Sequence, residues 1–320
     1  MAYFSILIPV FNRFGKMDPC VSSVMEQTFG DFETILVNDG STDESLAMLN
    51  EYASKDSRFR VVSHERNQSA LAARFTGMRE ATGKVILFLD SDDFIEKNTL
   101  MEIHGKYEET RADIIRFGWV SEQLGRSWLP SPCEDLLDGF LDGVFPPNIW
   151  SRAYAERVIK AALKTGESYY CNIVEDSYLS TVLLSNAETH EDMDRIFYHY
   201  TFGSGISSPF KNNKIEKIRK QYDTARTTGE QIASYLEKYK PHYAGKANRV
   251  LMRMLEYTLL TNLILEEDPV NAIRCVNLFD REDTQELFAN ACRGLLRKKY
   301  VEVGKEFGFG EQFVNEADFW

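Results

Sequence analysis

Three short apolar runs, Ser5 to Val10, Phe32 to Val37 and Val85 to Leu89, constrain the fold of this chain more than any other feature. Each is bounded by turn residues and too brief for a helix, so each reads as a strand buried on both faces, the kind found in parallel sheets. Helix-like patterns separate them. Asp18-Pro19 opens the first, with Asp18 as its expected N-cap, an apolar face of Val21, Val24, Met25 and Thr28, and a stop at Gly30. Ser41-Thr42-Asp43-Glu44 has the S-x-x-E form of a capping box ahead of a stripe made by Leu46, Leu49, Tyr52 and Ala53. Phe59 to Ser63 reads as a further short strand, and Ala70 to Ala81 as an Ala-rich helix closed by Gly83. Repeated strand–helix–strand units predict an α/β chain with a mostly parallel central sheet flanked by helices. Ligands of such sheets bind beyond the carboxyl ends of the strands. The residues there are Pro9 to Arg13, Asn38-Asp39-Gly40 and Asp90-Ser91-Asp92-Asp93.

After Asp93 the pattern loosens. Thr99 to Arg111 reads as a helix, Ile114 to Trp119 as a strand, and 120–150 as loop with short pieces. Arg152 to Lys164 and Asp176 to Leu184 read as helices. From Asn213 onward the pattern is almost all helical, polar at Lys214 to Lys220 and amphipathic at Val250, Leu251, Met254, Leu255 and Leu259. At 320 residues the chain accommodates two domains, with a boundary near Pro209.

Composition excludes some functions. Asp plus Glu number 49 against 37 Lys plus Arg, a formal charge of −12 that argues against a nucleic-acid partner, which needs a basic face. No window approaches the apolar length of a membrane span; Tyr257 to Leu265 is broken by Thr258, Thr261 and Asn262. The start, MAYFSILIPVFN, lacks the basic region and cleavage site of a secretory signal. Cysteines 20, 133, 171, 275 and 292 form no C-x-x-C pair, which points to a reduced, cytoplasmic protein.

The chemistry-bearing signals lie at the strand ends. Asp90, Asp92 and Asp93 crowd a buried strand's exit, and charge that is buried unpaired is costly, so a cation is expected; hard oxygen ligands suit Mn²⁺ or Mg²⁺. The alternative is an acidic turn capping a helix near Glu96. Asp39 stands where a base or ribose could be hydrogen-bonded, or in a tight turn, with Ser41 and Asp43 as helix caps. Glu175-Asp176 precedes a helix, where a carboxylate is stabilised as the anion and can act as a general base, or serves as an N-cap. Neither G-x-G-x-x-G nor a P-loop is present, so phosphate would fall to metal and to side chains such as Arg74 or Lys84. The histidines show no ligand spacing; His199, between Tyr198 and Tyr200, reads as a structural strand residue.

In order along the chain, SILIPVFN, ILVNDGSTDES, Asn67…Ala73-Arg74…Ala81-Thr82-Gly83, VILFLDSDDFI, Asn148-Ile149-Trp150-Ser151-Arg152, VEDSYLS and Tyr198-His199-Tyr200 leading into Gly203-Ser204-Gly205-Ile206-Ser207 resemble the family 2 glycosyltransferases, inverting enzymes of the GT-A fold. The resemblance covers residues 1 to about 208. It implies a GT-A domain over 1–210, with a nucleotide-binding half (1–105) and an acceptor-side half (106–210), followed by a helical C-terminal region (211–320). It also implies a metal-dependent transfer of a sugar from a nucleotide-diphosphate donor, a UDP-sugar, to a saccharide or glycolipid hydroxyl in cell-surface polysaccharide or glycolipid synthesis. Pro9, Phe11, Asn12 and Asp39 would hold base and ribose, Arg74 would lie near the nucleotide, Asp90 and Asp92 match the D-x-D motif with Asp92 the direct metal ligand, and Asp176 matches the catalytic base beside Glu175. The chain departs from the family at Gln68-Ser69, where Gly-Gly is frequent, and at Thr201-Phe202, where an Arg is frequent, leaving a phosphate contact to His199 or Lys211. The alternatives are a catalytically inactive nucleotide- or sugar-binding protein of the same fold and a nucleotidyltransferase, whose basic Gly-rich N-terminal loop is absent; a glycoside hydrolase leaves the nucleotide-like strand ends unexplained. For the C-terminal region, acceptor binding, homodimerisation and association with the inner face of a membrane stay open, with docking of its aromatic end (Phe307, Phe309, Phe313, Phe319, Trp320) on the main domain as the plainest reading.

Overall fold

The computed structural model describes residues 2–202 and 215–263, with side chains to 255 apart from 215, 217 and 218. The Gly203–Ser207 stretch, Pro209, Lys211, cysteines 275 and 292 and the aromatic end lie outside these. The chain divides into two units, Met1–Ser208 with Glu230–Ala247, and Pro209–Gly229 with Asn248–Trp320.

The first unit is built on one sheet. Its leading strands are β1 (Phe4–Val10), β2 (Phe32–Asn38), β3 (Phe59–Ser63) and β4 (Val85–Phe88), all mutually parallel in the order β3-β2-β1-β4. Every residue of β4 is buried, as its unbroken apolar run requires. The sheet continues through β8 (Arg152–Ala155), β6 (Ile114–Ser121), β9 (His190–His199) and β5 (Phe94–Ile95), with the short β7 (Arg126–Trp128) beside β6. Here the pairing is mixed: β8 runs antiparallel to both β4 and β6, whereas β9 runs parallel to β6. Helices pack against the sheet, α2 (Ser45–Lys55) on β2 and β3, α3 (Ala70–Glu80) on β1 and β2, α4 (Thr99–Thr110) on β6, and α6 (Glu156–Thr165) on β4 and β8. The remaining helices of the unit include α1 (Asp18–Met25), α5 (Leu136–Asp142) and α7 (Glu175–Ser185), with α7 packed on α5 and α6.

Several local expectations need correction. Arg152 to Ala155 is a strand, not the first turn of a helix: inserted between β4 and β6 it buries all four residues, and that ladder overrides the helix preference of its alanines. Asp18 is the first residue of α1 rather than its cap, and its carboxylate accepts the Tyr52 hydroxyl at 2.5 Å. The Ser41–Glu44 capping box does not form; α2 starts at Ser45 without a side-chain cap, because Ser41 and Thr42 bind the loop after β1 instead. Lys84 lies at the entry of β4, its ammonium over the Tyr3 ring, at the opposite end of the strand from Asp90.

The order β3-β2-β1-β4 places a crevice between β1 and β4, whose connections leave in opposite directions. Pro9 opens it. The Leu7 carbonyl still accepts the Leu89 N–H at 3.0 Å, but Pro9 has no N–H with which to continue the ladder. The chain after β1 and the chain after β4 separate there.

In the second unit the first part of α8 (Ile215–Tyr239) and α9 (Ala247–Leu263) approach closely at Gly229, where a Cβ would stand 2.8 Å from Leu251. No helix among the described residues is long and apolar enough to cross a membrane.

Candidate active site

The loop after β1 is stitched to the loop after β2. Asn12, at φ +52°, accepts the Thr42 N–H at 2.8 Å and donates its own N–H to Ser41 Oγ at 3.1 Å, while the Arg13 N–H reaches Ser45 Oγ at 2.7 Å. Gly40, at φ +64°, permits a third segment to close in: a Cβ there would lie 2.3 Å from the Arg66 carbonyl carbon. Asp39 fastens that segment. Only 2% exposed, it accepts the Gln68 N–H (2.8 Å) at Oδ1 and the Ser69 N–H (2.9 Å) at Oδ2, and Oδ1 also meets His64 Nδ1 at 2.7 Å. Its oxygens therefore hold the 64–69 loop from within. Ser69 occupies φ +97°, ψ 159°, a region that favours glycine, so the backbone keeps a glycine-like turn where the residue is Ser. Its hydroxyl caps α3 by accepting the Ala72 N–H.

A second cluster forms where α3, the exit of β4 and the start of α7 meet. Arg74, 4% exposed, lies on α3, a helix buried nearly all round. Its Nη1 donates to Glu175 Oε1 at 2.5 Å, and its Nη2 donates to Asp90 Oδ1 at 2.8 Å and lies 3.5 Å from Asp176 Oδ1. One guanidinium thus joins residues that are about a hundred positions apart in sequence. Asp92 pairs with Arg13 at 3.2 Å. Asp93 is buried; it accepts the Tyr198 hydroxyl at 2.6 Å and the Thr201 N–H at 2.7 Å, while the Tyr198 oxygen accepts the Asp90 N–H at 3.2 Å. Val174, immediately before α7, has φ +57°, an uncommon value for a β-branched residue and one that turns the chain into the Glu175-Asp176 corner.

The electrostatics follow from burial. Asp176 is pushed up to about 8, by burial first and then by Glu175 and Asp90, against the opposing pull of Arg74 and Arg152. Burial likewise raises Asp90, with Arg74 opposing and Asp92 and Glu175 adding, and it raises Asp93, with Asp90 and Asp92 adding. Burial alone would weaken the charge of Arg74, but Asp90, Asp176 and Glu175 more than offset it. The carboxylates outnumber the guanidiniums that face them, and the buried Asp176 Oδ1 has no hydrogen-bond partner. This hard-oxygen set fits Mn²⁺ or Mg²⁺. Among the described residues no three His, Cys, Asp or Glu side chains form a closed metal cage.

The structure therefore brings Arg74, Asp90, Glu175 and Asp176 into contact, while Asp92 pairs with Arg13. Pro9, Phe11, Asn12 and Asp39 border the same strand ends but make no hydrogen bond to that cluster. His199 is indeed a strand residue: it stacks on Phe94 and sits between Glu96 and Glu122, at 2.8 and 2.9 Å. Sequence reasoning placed Asp93 in the acidic cluster but assigned no individual role to Arg13, His64 or Tyr198. Arg13 follows Asn12 and could have been noticed as a cation at a strand end, whereas the Tyr198–Asp93 contact spans 105 positions and has no local signal.

Comparison with known proteins accords with this geometry. The sequence profile described as Glycosyl transferase family 2 matches residues 5–136. The uncharacterized glycosyltransferase YibD of Escherichia coli K12 is 31% identical over 261 residues, covering 76% of this chain and 72% of that protein. Among solved structures, Staphylococcus aureus TarS 1-349 in complex with UDP-GlcNAc superposes with a TM-score of 0.62 at 20% identity, covering 86% of this chain and 79% of the other. The mannosyltransferase PcManGT of Pyrobaculum calidifontis, in complex with GDP-Man and Mn²⁺, gives 0.55 at 13% identity, covering 99% and 86%. At such identities the structural likeness speaks for the fold alone. The chain belongs to glycosyl transferase family 2 and has the GT-A fold.

Proposed function

We propose that this glycosyltransferase is an inverting enzyme that moves a sugar from a UDP-linked donor to a hydroxyl of a saccharide or glycolipid, in cell-surface polysaccharide or glycolipid synthesis. The observation that carries this reading is the Arg74 bridge, which sets the Asp90 carboxylate beside Glu175 and Asp176 at the mouth of the β1/β4 crevice. The UDP-GlcNAc held by TarS supports a UDP-sugar donor.

Pro9, Phe11 and Asn12 would border the base and ribose, with Asp39 keeping the facing 64–69 loop in place. Asp92 and Asp90 would hold Mn²⁺ or Mg²⁺, which when bound supplies positive charge to the leaving diphosphate. Asp176 takes the proton of the acceptor hydroxyl in its ionised form, which burial makes the predominant one only above a pH of about 8 in the free protein. The oxygen forms its bond to the anomeric carbon from the face opposite the nucleotide as the carbon–oxygen bond to the diphosphate breaks, and the electron pair leaves with the diphosphate. Configuration inverts in that single displacement. Arg74, which bonds Glu175 beside it, lies 3.5 Å from Asp176 and would keep that carboxylate in place.

Replacing Asp176 by Asn removes the proton acceptor and preserves its shape. The variant is expected to bind UDP with unchanged affinity and to lose transfer by at least a hundredfold, in line with the contribution of general-base catalysis. UDP release from a panel of UDP-sugars, with product anomers read by NMR, checks both the base and the stereochemistry. Transfer retained in the variant, or a product with the donor's configuration, would overturn the reading. A non-catalytic binding protein would bind UDP yet release none from any donor.

A further inference from the structure

The segment from Pro146 to Arg152, entering β8, has no role in the reaction as described, yet it is held firmly. Four of its carbonyls are used: Pro146 O accepts from Arg152 Nη2 (2.9 Å), Pro147 O from Ser180 Oγ (2.5 Å), Ile149 O from the Tyr154 hydroxyl (3.1 Å) and Ser151 O from the Phe117 N–H (3.1 Å). Two of its polar side chains are the opposite. Asn148 is 7% exposed, and neither its Oδ1 nor its Nδ2 has a partner; Ser151 is 1% exposed, and its Oγ has none. Trp119 Nε1, Arg152 Nε and Asp176 Oδ1 are also buried without a hydrogen bond. Folded proteins leave few such atoms, and a group of them in one place calls for an explanation.

Position supplies one. Ser180, which binds the Pro147 carbonyl, stands one helical turn beyond Asp176 on the same face of α7. Trp150 stacks on Tyr198 at 4.1 Å, and the Tyr198 hydroxyl reaches the Asp90 N–H. Pro147, just before Asn148, is thus tied to the helix that carries Asp176, and Trp150, two residues after it, to the Tyr198 ring beside Asp90. Trp119 lies edge-on to Trp150 at 5.9 Å. Neutral donors and acceptors next to indole rings match a polyhydroxylated ring: each hydroxyl both donates and accepts, and the carbon–hydrogen face of a sugar packs on aromatic carbon. A phosphate would call for free cationic groups, but Arg152 is already engaged by the Pro146 carbonyl and Ser180.

We propose that the Asn148–Ser151 segment is a saccharide subsite, in which the Asn148 carboxamide and the Ser151 hydroxyl take hydroxyl groups of a pyranose placed beside Asp176. The inference rests on glycosyl transfer being the reaction of this crevice. The pyranose is either the donor's sugar or the acceptor's, and the experiment separates them.

The variants Asn148→Leu, near in shape, and Ser151→Ala remove polar atoms that the free protein leaves unpaired, so the melting temperature should stay level or rise. Calorimetry with Mn²⁺ compares UDP with UDP-glucose, UDP-galactose and UDP-GlcNAc; saturation-transfer NMR with UDP and Mn²⁺ present follows methyl glycosides. UDP itself should bind each variant as it binds the parent. A loss of about tenfold in the extra affinity that the sugar gives the donor assigns the subsite to the donor, and a loss of the methyl-glycoside signal of similar size assigns it to the acceptor. Either outcome supports the proposal. Unchanged sugar binding in both arms, no sugar effect even in the parent protein, or a melting temperature several degrees lower in both variants would overturn it. A parent that binds glycosides but no nucleotide would keep the subsite and reject nucleotide-sugar transfer.

Discussion

Two aspartate-bearing strand exits of the same sheet are built in opposite ways. At the exit of β2, Asp39 accepts two backbone N–H groups and meets one imidazole, and Asn12, Ser41 and Thr42 close the neighbouring turns with neutral hydrogen bonds. At the exit of β4, Asp90, Asp92 and Asp93 crowd together with Glu175 and Asp176, are met by Arg74 and Arg13, and leave the buried Asp176 Oδ1 without a hydrogen bond. The first region is complete in the free chain and shapes a rigid border. The second carries charge that its own residues do not balance, and a cation with a diphosphate would relieve it. Satisfied polar groups build the frame, and unsatisfied ones mark where a ligand contributes.

The contrast can be broken most forcefully at Arg74. Arg74→Ala leaves Asp90, Glu175 and Asp176 buried without their shared counter-ion, and loss of one partner of a buried ion pair typically costs about 3–5 kcal/mol. Chemical denaturation should show a loss of that order, with partial recovery in Arg74→Lys. A change below about 1 kcal/mol would mean that the cluster is well solvated. In the frame, Asp39→Ala strands the Gln68 and Ser69 amides and should cost about 1–3 kcal/mol; unchanged stability would remove Asp39 from its place as the loop's anchor. Ser69→Gly relieves a backbone conformation that an L side chain adopts at a cost, partly offset by the entropy of glycine, and should raise stability by about 1 kcal/mol. A variant of lower stability would show that the capping hydroxyl matters more than the strain.

The smallest effect concerns pH. Burial by itself would raise Glu33, but hydrogen bonds from Ser5, Thr82 and Arg60 outweigh it and hold the carboxyl below its ordinary value. Because the folded value is depressed, this contribution is present in full above the ordinary carboxylate range and is lost as the pH falls through the folded value. Glu33→Gln should therefore flatten the acid limb of the melting-temperature profile and shift the neutral plateau only slightly. An acid limb identical to that of the parent would exclude Glu33 from acid stability.

Legibility in the sequence divides along the same line. β4 shows as an unbroken apolar run, and β1 and β2 as largely apolar ones, because their faces are mostly buried, and the aspartates that follow β2 and β4 show by position. β8 is disguised by the helix-favouring Arg-Ala-Tyr-Ala and the true helix behind it; only its insertion between β4 and β6 makes it a strand. β9 is polar, His190 to Phe197 mixing Glu, Asp and Arg with few apolar residues, because much of it is partly exposed, so no run announces it. The carboxylates of the site were readable as residue types at element ends. Arg74 was readable as a cation near the nucleotide but not as their common partner, because only the fold brings it between residues 16 and 101 positions away. Asn148 and Ser151 were visible as part of a recurring string, but whether a polar side chain has a partner is a property of three dimensions alone.

The account depends on the Asp90–Asp92 carboxylates gripping a divalent ion that binds the nucleotide diphosphate. Calorimetric titration of UDP into the parent protein and into Asp92→Ala, each with Mn²⁺ and again with excess chelator, tests this directly. Binding that is tight for the parent with Mn²⁺, and weaker by at least tenfold on chelation or on loss of the Asp92 carboxylate, is the predicted result. The same affinity in all four titrations, or no binding of UDP in any of them, would contradict it.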